Sequence, residues 1–272
     1  MSTGVDMNTQ QLDLAGGTIG FDDSGGSGPL VVMLPGAGDV RHEYRLVAPD
    51  LVAGGARVVT MDLRGHGDSS ADWPGYGVVE TAGDLVALLD HLDAGPATVV
   101  ATSFSPAAAL WAAADRPDLI GRLVLISAHL ETAPIWQRIP LGLMLRGPFA
   151  GGLWSGQFRK WHPAAPPADL GEQAAALAKM MADPRRRRAV RETLTAHRNG
   201  LAERIARVDV PTLVVMGGAD SHFKDPAATG ESIAADTGGK VHVVPDAGHY
   251  PHVEFPGQVT AEITDFLAET RT

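Results

Sequence analysis

Five short blocks of the chain carry the residues able to do covalent chemistry. In Thr102-Ser103-Phe104-Ser105-Pro106 a serine sits between a Val-rich run, residues 97–101, and a helical pattern. A sharp strand-to-helix turn there holds the Ser103 hydroxyl clear of the backbone, with the first amides of the helix facing whatever it attacks. The pattern that best relieves such a turn is Gly-x-Ser-x-Gly; here the flanks are Ala101 and Ser105, both small, so the steric demand is met approximately. In Leu34-Pro35-Gly36-Ala37-Gly38-Asp39 a glycine-rich loop can present a backbone N–H to an oxyanion, and no Lys-Ser/Thr pair follows to make it a phosphate loop. The remaining blocks are residues 62–69, Asp-Leu-Arg-Gly-His-Gly-Asp-Ser; residues 216–220, Met-Gly-Gly-Ala-Asp; and residues 245–254, Pro-Asp-Ala-Gly-His-Tyr-Pro-His-Val-Glu.

These blocks need strands to position them. Short Val/Leu/Ile runs at residues 30–34, 56–61, 97–101, 123–126, 212–216 and 241–244 read as strands buried on both faces. Helical spacing separates most of them, over residues 44–52, 79–92, 106–114, 227–235 and 259–267. A hairpin, 11–14 and 18–21 around Gly16-Gly17, adds antiparallel edge strands. The expectation is an α/β fold: a doubly wound, mostly parallel eight-stranded sheet. Every chemical block then lies at a strand's C-terminal end, where such sheets place their ligand crevice. The alternation breaks once, so residues 130–205 read as an inserted helical cap between core segments 1–129 and 206–272. The cap tryptophans Trp136, Trp154 and Trp161 either line a substrate pocket or pack the cap, and the run Arg185–Arg188 reads as a solvated helix face.

With its D-x-R-G-H-G-x-S, G-x-x-D and A-G-H-Y-P-H-x-E blocks, the chain resembles the α/β-hydrolase fold superfamily over nearly its whole length outside the cap. The resemblance implies a nucleophile, acid and histidine in that chain order, which falls on Ser103, Asp220 and His249. A serine hydroxyl needs a base to take its proton as it attacks, and an imidazole titrates in the useful range. His249 takes that role, Asp220 holds its tautomer, and the amides of Ala37 and Phe104 form the oxyanion hole. Glu131, after the strand before the cap, competes with Asp220 as the acid. His66 falls to loop structure and His252 to packing or support of the site; His222 and Asp225 shape the pocket rim.

A serine at the nucleophile position disfavours the aspartate-based dehalogenase and epoxide hydrolase routes of this fold. Tyr250 stands where its carbon–carbon hydrolases commonly carry a tryptophan. The implied activity is hydrolysis of a small-molecule carboxylic ester or lactone through an acyl-enzyme, with no cofactor and no metal. A cofactor-free perhydrolase or lyase, a hydrolase-fold small-molecule receptor and an inactive scaffold are the alternatives.

Composition narrows the classes further. The 272 residues carry a formal charge of −10, which repels nucleic-acid backbones and anionic membranes, and contain no cysteine, which removes thiolate and iron–sulfur chemistry. Residues 1–8 contain neither a basic segment nor an apolar run of a leader, so the expected location is cytoplasmic; the oligomeric state is not legible.

Overall fold

The Val/Leu/Ile runs are buried on both faces except the edge run 241–244, which is mostly half-buried, and the two faces face different helices. A computed structural model describes residues 7–269, so the first six residues, on which part of the leader expectation rests, lie outside the described residues. Eight strands, β1 (Asn8–Leu14), β2 (Gly17–Asp23), β3 (Leu30–Leu34), β4 (Arg57–Met61), β5 (Ala97–Thr102), β6 (Ile120–Ile126), β7 (Thr212–Gly217) and β8 (Lys240–Val244), form one sheet. Their spatial order is β1-β2-β4-β3-β5-β6-β7-β8. The hairpin β1–β2 and the β2–β4 pair are antiparallel, and all other pairs are parallel.

Side chains alternate across the sheet with the period of two that a strand imposes. Val32, Leu34, Val99, Leu123 and Leu125 pack toward helices α2 (Val78–Leu92) and α3 (Ser105–Asp115). Val31, Met33, Val100, Val124 and Leu213 pack toward the other face, where α1 (Ala48–Ala53) and the C-terminal helix lie. The helix expected over 44–52 is instead a 3-10 turn, Arg41–Leu46, followed by α1. Pro49, in the first turn of α1, has no N–H to continue an earlier helix and its ring would clash with the preceding turn.

Five helices lie between β6 and β7: α4 (Ile135–Met144), α5 (Ala150–Lys160), α6 (Leu170–Met180), α7 (Pro184–Leu194) and α8 (Leu201–Ile205). The first four share a third apolar cluster, in which Trp154, Phe158, Trp161 and Leu177 meet Tyr250 and Val253 of the sheet-bearing part, while Leu201 of α8 joins the cluster beneath α2 and α3. The Arg185–Arg188 run opens α7 and joins surface contacts: Arg188 pairs with Glu192, and Arg186 donates to the carbonyl of Ser69 at 3.1 Å. After β7 come α9 (Pro226–Thr237), then β8, the short α10 (Pro251–Glu254) and α11 (Pro256–Ala268). Among the described residues no helix is long and apolar enough to cross a membrane.

The chain leaves β3 to one side, for β4, and returns to the other, for β5. The loops after β3 and β5 therefore flank the point where strand order reverses, with Leu34 in register with Ala101. At such a point the connections diverge and leave a crevice.

Candidate active site

The turn after β5 holds Ser103 at φ 61°, a left-handed conformation that costs a non-glycine residue about 1–3 kcal/mol. Neighbouring backbone over-determines it: the Ser103 amide donates to the carbonyl of Ile126 at 2.9 Å, and the Ser103 carbonyl accepts from the amide of His129 at 2.9 Å. Of the flanking residues, Ala101 is fully buried, and Ser105 donates its hydroxyl to the carbonyl of Pro35 at 2.5 Å. The serine that departs from the glycine pattern thus ties the elbow to the loop after β3.

That loop is held by every amide except one. Gly36 donates to Glu43 Oε2 at 2.9 Å, Gly38 to His66 Nε2 at 3.0 Å, and Asp39 to the Gly36 carbonyl at 3.1 Å. Because His66 Nε2 accepts, its Nδ1–H must donate to the carbonyl of Arg64 at 2.9 Å. Burial pushes this ring down to about 4, so it stays neutral as the acceptor role requires. His66 is a support of the loop. Among the described residues, the amides of Ala37 and Phe104 have no protein acceptor. A Cβ on Gly36 would lie 3.2 Å from the Ser103 Cβ, tighter than most such contacts, so glycine eases the loop's close approach to the elbow.

The loops after β7 and β8 bring an acid and an imidazole together. His249 Nδ1–H donates to Asp220 Oδ2 at 2.7 Å, and the other carboxylate oxygen accepts from Nδ1–H of His222 at 2.8 Å and from its amide at 3.0 Å. Burial pushes Asp220 up, but the charges of His249 and His222 and their hydrogen bonds outweigh it and hold the carboxyl well below its usual range. His249 is buried, which lowers it from the usual histidine value against the opposing pull of Asp220. With Nδ1 committed to the carboxylate, Nε2 is the nitrogen left to accept a proton.

Ser103, His249, Ala37 and Phe104 all line one cavity of about 600 Å³, and Trp154 and Trp161 line it too. Trp154 also donates its indole N–H to the carbonyl of Gly38 at 3.0 Å. Trp136 does not join them. It is 68 % exposed with Ile139 and Leu143, which lie three and seven residues on and so share its outer face of α4, while Leu141 and Met144 face the cavity. Glu131 opens on the same cavity, but the Nδ1 of His249 is paired with Asp220. Asp225, expected at the rim, caps α9 by accepting from the amide of Ala228.

Three groups of this cavity were not singled out by sequence pattern as chemistry: His129, Arg138 and Arg198. His129 follows β6 as the other blocks follow their strands, and that position is the one signal that could have found it. One ring nitrogen from each of His129, His222 and His249 lies within 4.8 Å of the others, a spacing from which a borderline divalent cation could be held. Behind the loop, Glu43 Oε1 lies 2.9 Å from His252 Nε2, both fully buried. Burial raises this carboxyl to about 7 and lowers the imidazole to about 3.

Residues 31–263 match the alpha/beta hydrolase family. The chain is 28% identical over 260 residues, 90% of its length, to the dihydrolipoyllysine-residue acetyltransferase component of an acetoin cleaving system from Cupriavidus necator, of which the match covers 65%. It is 25% identical over 265 residues to the sn-1-specific diacylglycerol lipase ABHD11 of Mus musculus, covering 88% of this chain and 81% of that one. For several curated relatives, the first of these included, the chain spans less than two thirds of the relative's length. A solved hydrolase from Pseudomonas aeruginosa superposes with a TM-score of 0.80 at 26% identity, over 96% of this chain and 99% of the other. With its matched span, its eight-stranded sheet and the site at the strand-order reversal, the chain belongs to the alpha/beta hydrolase family.

Proposed function

We propose that this protein is a serine hydrolase that cleaves a carboxylic ester or lactone of a small molecule through an acyl-enzyme, with Ser103 as nucleophile, His249 as base and Asp220 as its orienting acid. One observation carries the reading: a serine held at φ 61° and an imidazole anchored by a buried carboxylate open on the same cavity as two amides without protein acceptors.

In this mechanism the Ser103 oxygen attacks the substrate carbonyl as its proton passes to Nε2 of His249. Asp220, already accepting Nδ1–H, stabilises the imidazolium that forms. Negative charge gathers on the carbonyl oxygen, and the amides of Ala37 and Phe104 receive it, each such donor typically contributing about 3–4 kcal/mol. The imidazolium returns its proton to the leaving oxygen, and the same ring then activates water to release the acid. Residues 130–205 serve as the cap, and their Trp154 and Trp161 shape the substrate's room above Ser103. The similarity to a diacylglycerol lipase, whose name denotes ester cleavage, supports this class of reaction.

The test is hydrolysis of p-nitrophenyl esters, acetate to decanoate, by the protein and by Ser103→Ala. Turnover that collapses in the variant is the expected result, and its chain-length optimum measures the cavity. Equal rates from both proteins on every ester would remove the esterase reading.

A further inference from the structure

The cavity above Ser103 holds two guanidinium groups and a single carboxyl side chain, Glu131, within a chain whose overall charge is strongly negative. Among the described residues neither Arg138 nor Arg198 pairs with a carboxylate, Glu131 included. This sets them apart from Arg41, Arg45, Arg57 and Arg64, each of which is partly buried against an aspartate. Both are partly buried; a cation so placed without a counter-ion is unfavourable, and such a group in a concave site marks where an anion fits.

Both arginines are fixed by neutral partners that leave donors free. Arg198 spends Nε on the carbonyl of His129 at 3.0 Å and Nη1 on that of Ala196 at 2.8 Å. Its guanidinium carbon lies 5.4 Å from the ring centre of Phe104, the residue after Ser103, and Arg198 and Ser103 line the same cavity. Arg138 contacts His197 through Nη2, and its Nε is buried with no hydrogen-bond partner. Burial, with the charge of Arg138 added to it, pushes Arg198 down to about 10, so the two cations act on one region. Planar guanidinium forks suit the two oxygens of a carboxylate better than any neutral group.

Resting on the hydrolase reading for what happens at Ser103, we infer that Arg138 and Arg198 bind a carboxylate carried by the substrate, so that the preferred substrates are anionic esters or lactones rather than neutral ones. The apolar remainder of the wall, including Leu141, Met144 and Leu194, then holds the carbon skeleton between the anion and the scissile carbonyl.

The test uses Ser103→Ala protein, which binds without turnover, titrated calorimetrically with monomethyl glutarate and with its neutral counterpart, dimethyl glutarate. The expected result is binding of the monoester at least ~10-fold tighter than the diester, and loss of that preference when Arg138→Gln or Arg198→Gln is added. Thermal unfolding of each variant accompanies the titration. Arg138→Gln keeps the measurement decisive if Arg198→Gln, which loses two carbonyl contacts, fails to fold. Equal binding of the two esters, no saturable binding of the anionic one, or a preference that survives in a folded variant would overturn the proposal. Rates on the same two esters with the unmodified protein separate the readings. An anion preference in binding without hydrolysis of any ester leaves the arginine site standing and removes the hydrolase reading. Hydrolysis that favours the neutral diester does the reverse.

Discussion

The hydroxyl of Ser105 donates to the carbonyl of Pro35 at 2.5 Å, joining the turn that holds Ser103 to the loop that offers the Ala37 amide. Two elements distant in sequence are thereby held as one body at the strand-order reversal. Ser105→Ala leaves a buried carbonyl without its partner, which costs about 1–3 kcal/mol. Urea unfolding should show that loss, and kcat should fall several-fold as the loop loosens. An unchanged kcat would mean that the bond stabilises the fold without positioning the loop.

Gly36 permits the loop's approach to Ser103, and an added Cβ would meet the Ser103 Cβ at 3.2 Å. Either neighbour must give by a few tenths of an ångström. Gly36→Ala is expected to lower kcat by roughly ten-fold through misplacement of the nucleophile, with little change in unfolding temperature. Steady-state kinetics beside a thermal melt distinguish this from general destabilisation.

The base must be neutral to take the Ser103 proton, and burial lowers His249 below the usual histidine value. The rate on a p-nitrophenyl ester should therefore rise with pH to a plateau, its midpoint below about 6.5. The neighbouring His222 adds to the lowering. His222→Asn should move the midpoint toward higher pH, and a midpoint that stays put would show that His222 does not influence the base.

Acid sensitivity of the fold has a definite sign. Burial pushes His66 and His162 down to about 4 and His252 to about 3, so between pH 6.5 and those values the unfolded chain binds protons that the folded one refuses. Their stability is present above pH 6.5 and is lost as pH falls. Glu43, raised to about 7, acts oppositely, losing stability as pH rises from about 4.5. His42, His129 and His249 are lowered in the same sense, and Asp39, Asp62 and Asp84 are raised as Glu43 is; the six imidazoles outnumber the four carboxyls, so Tm should drop from pH 7 to pH 4.5. Glu43→Gln should steepen that drop, and differential scanning calorimetry across the range reads both.

Zinc should inhibit. One ring nitrogen each of His129, His222 and His249 lies within 4.8 Å of the others, and Asp220 occupies Nδ1 of the last two, so an ion held by His249 there draws on its Nε2. A bound ion takes the lone pair with which His249 acts as base. With protein free of any histidine tag, added Zn2+ should suppress turnover and a chelator should restore it, whereas Mg2+, which favours oxygen ligands, should have no effect. His129→Asn should weaken the inhibition by roughly ten-fold or more; an unaltered zinc response would place the inhibitory ion elsewhere.

Local pattern alone determined the strand runs, the hairpin, the elbow around Ser103, and the blocks bearing Asp220 and His249. Each of these follows from periodicity and turn chemistry within about ten residues, which sequence displays directly. The strand order, the closeness of Gly36 to Ser103 and the pairing of Asp220 with two histidines are tertiary outcomes, because they join residues far apart in the chain. Proline chemistry divided the helix expected over 44–52, and helix phase turned Trp136 outward while Trp154 and Trp161 faced the cavity. The gathering of His129, Arg138 and Arg198 beside Ser103 was likewise decided by packing of the inserted helices on the sheet. No local rule tells an arginine on an amphipathic helix whether its face meets solvent or a cavity, since the surface that answers is supplied by another part of the chain.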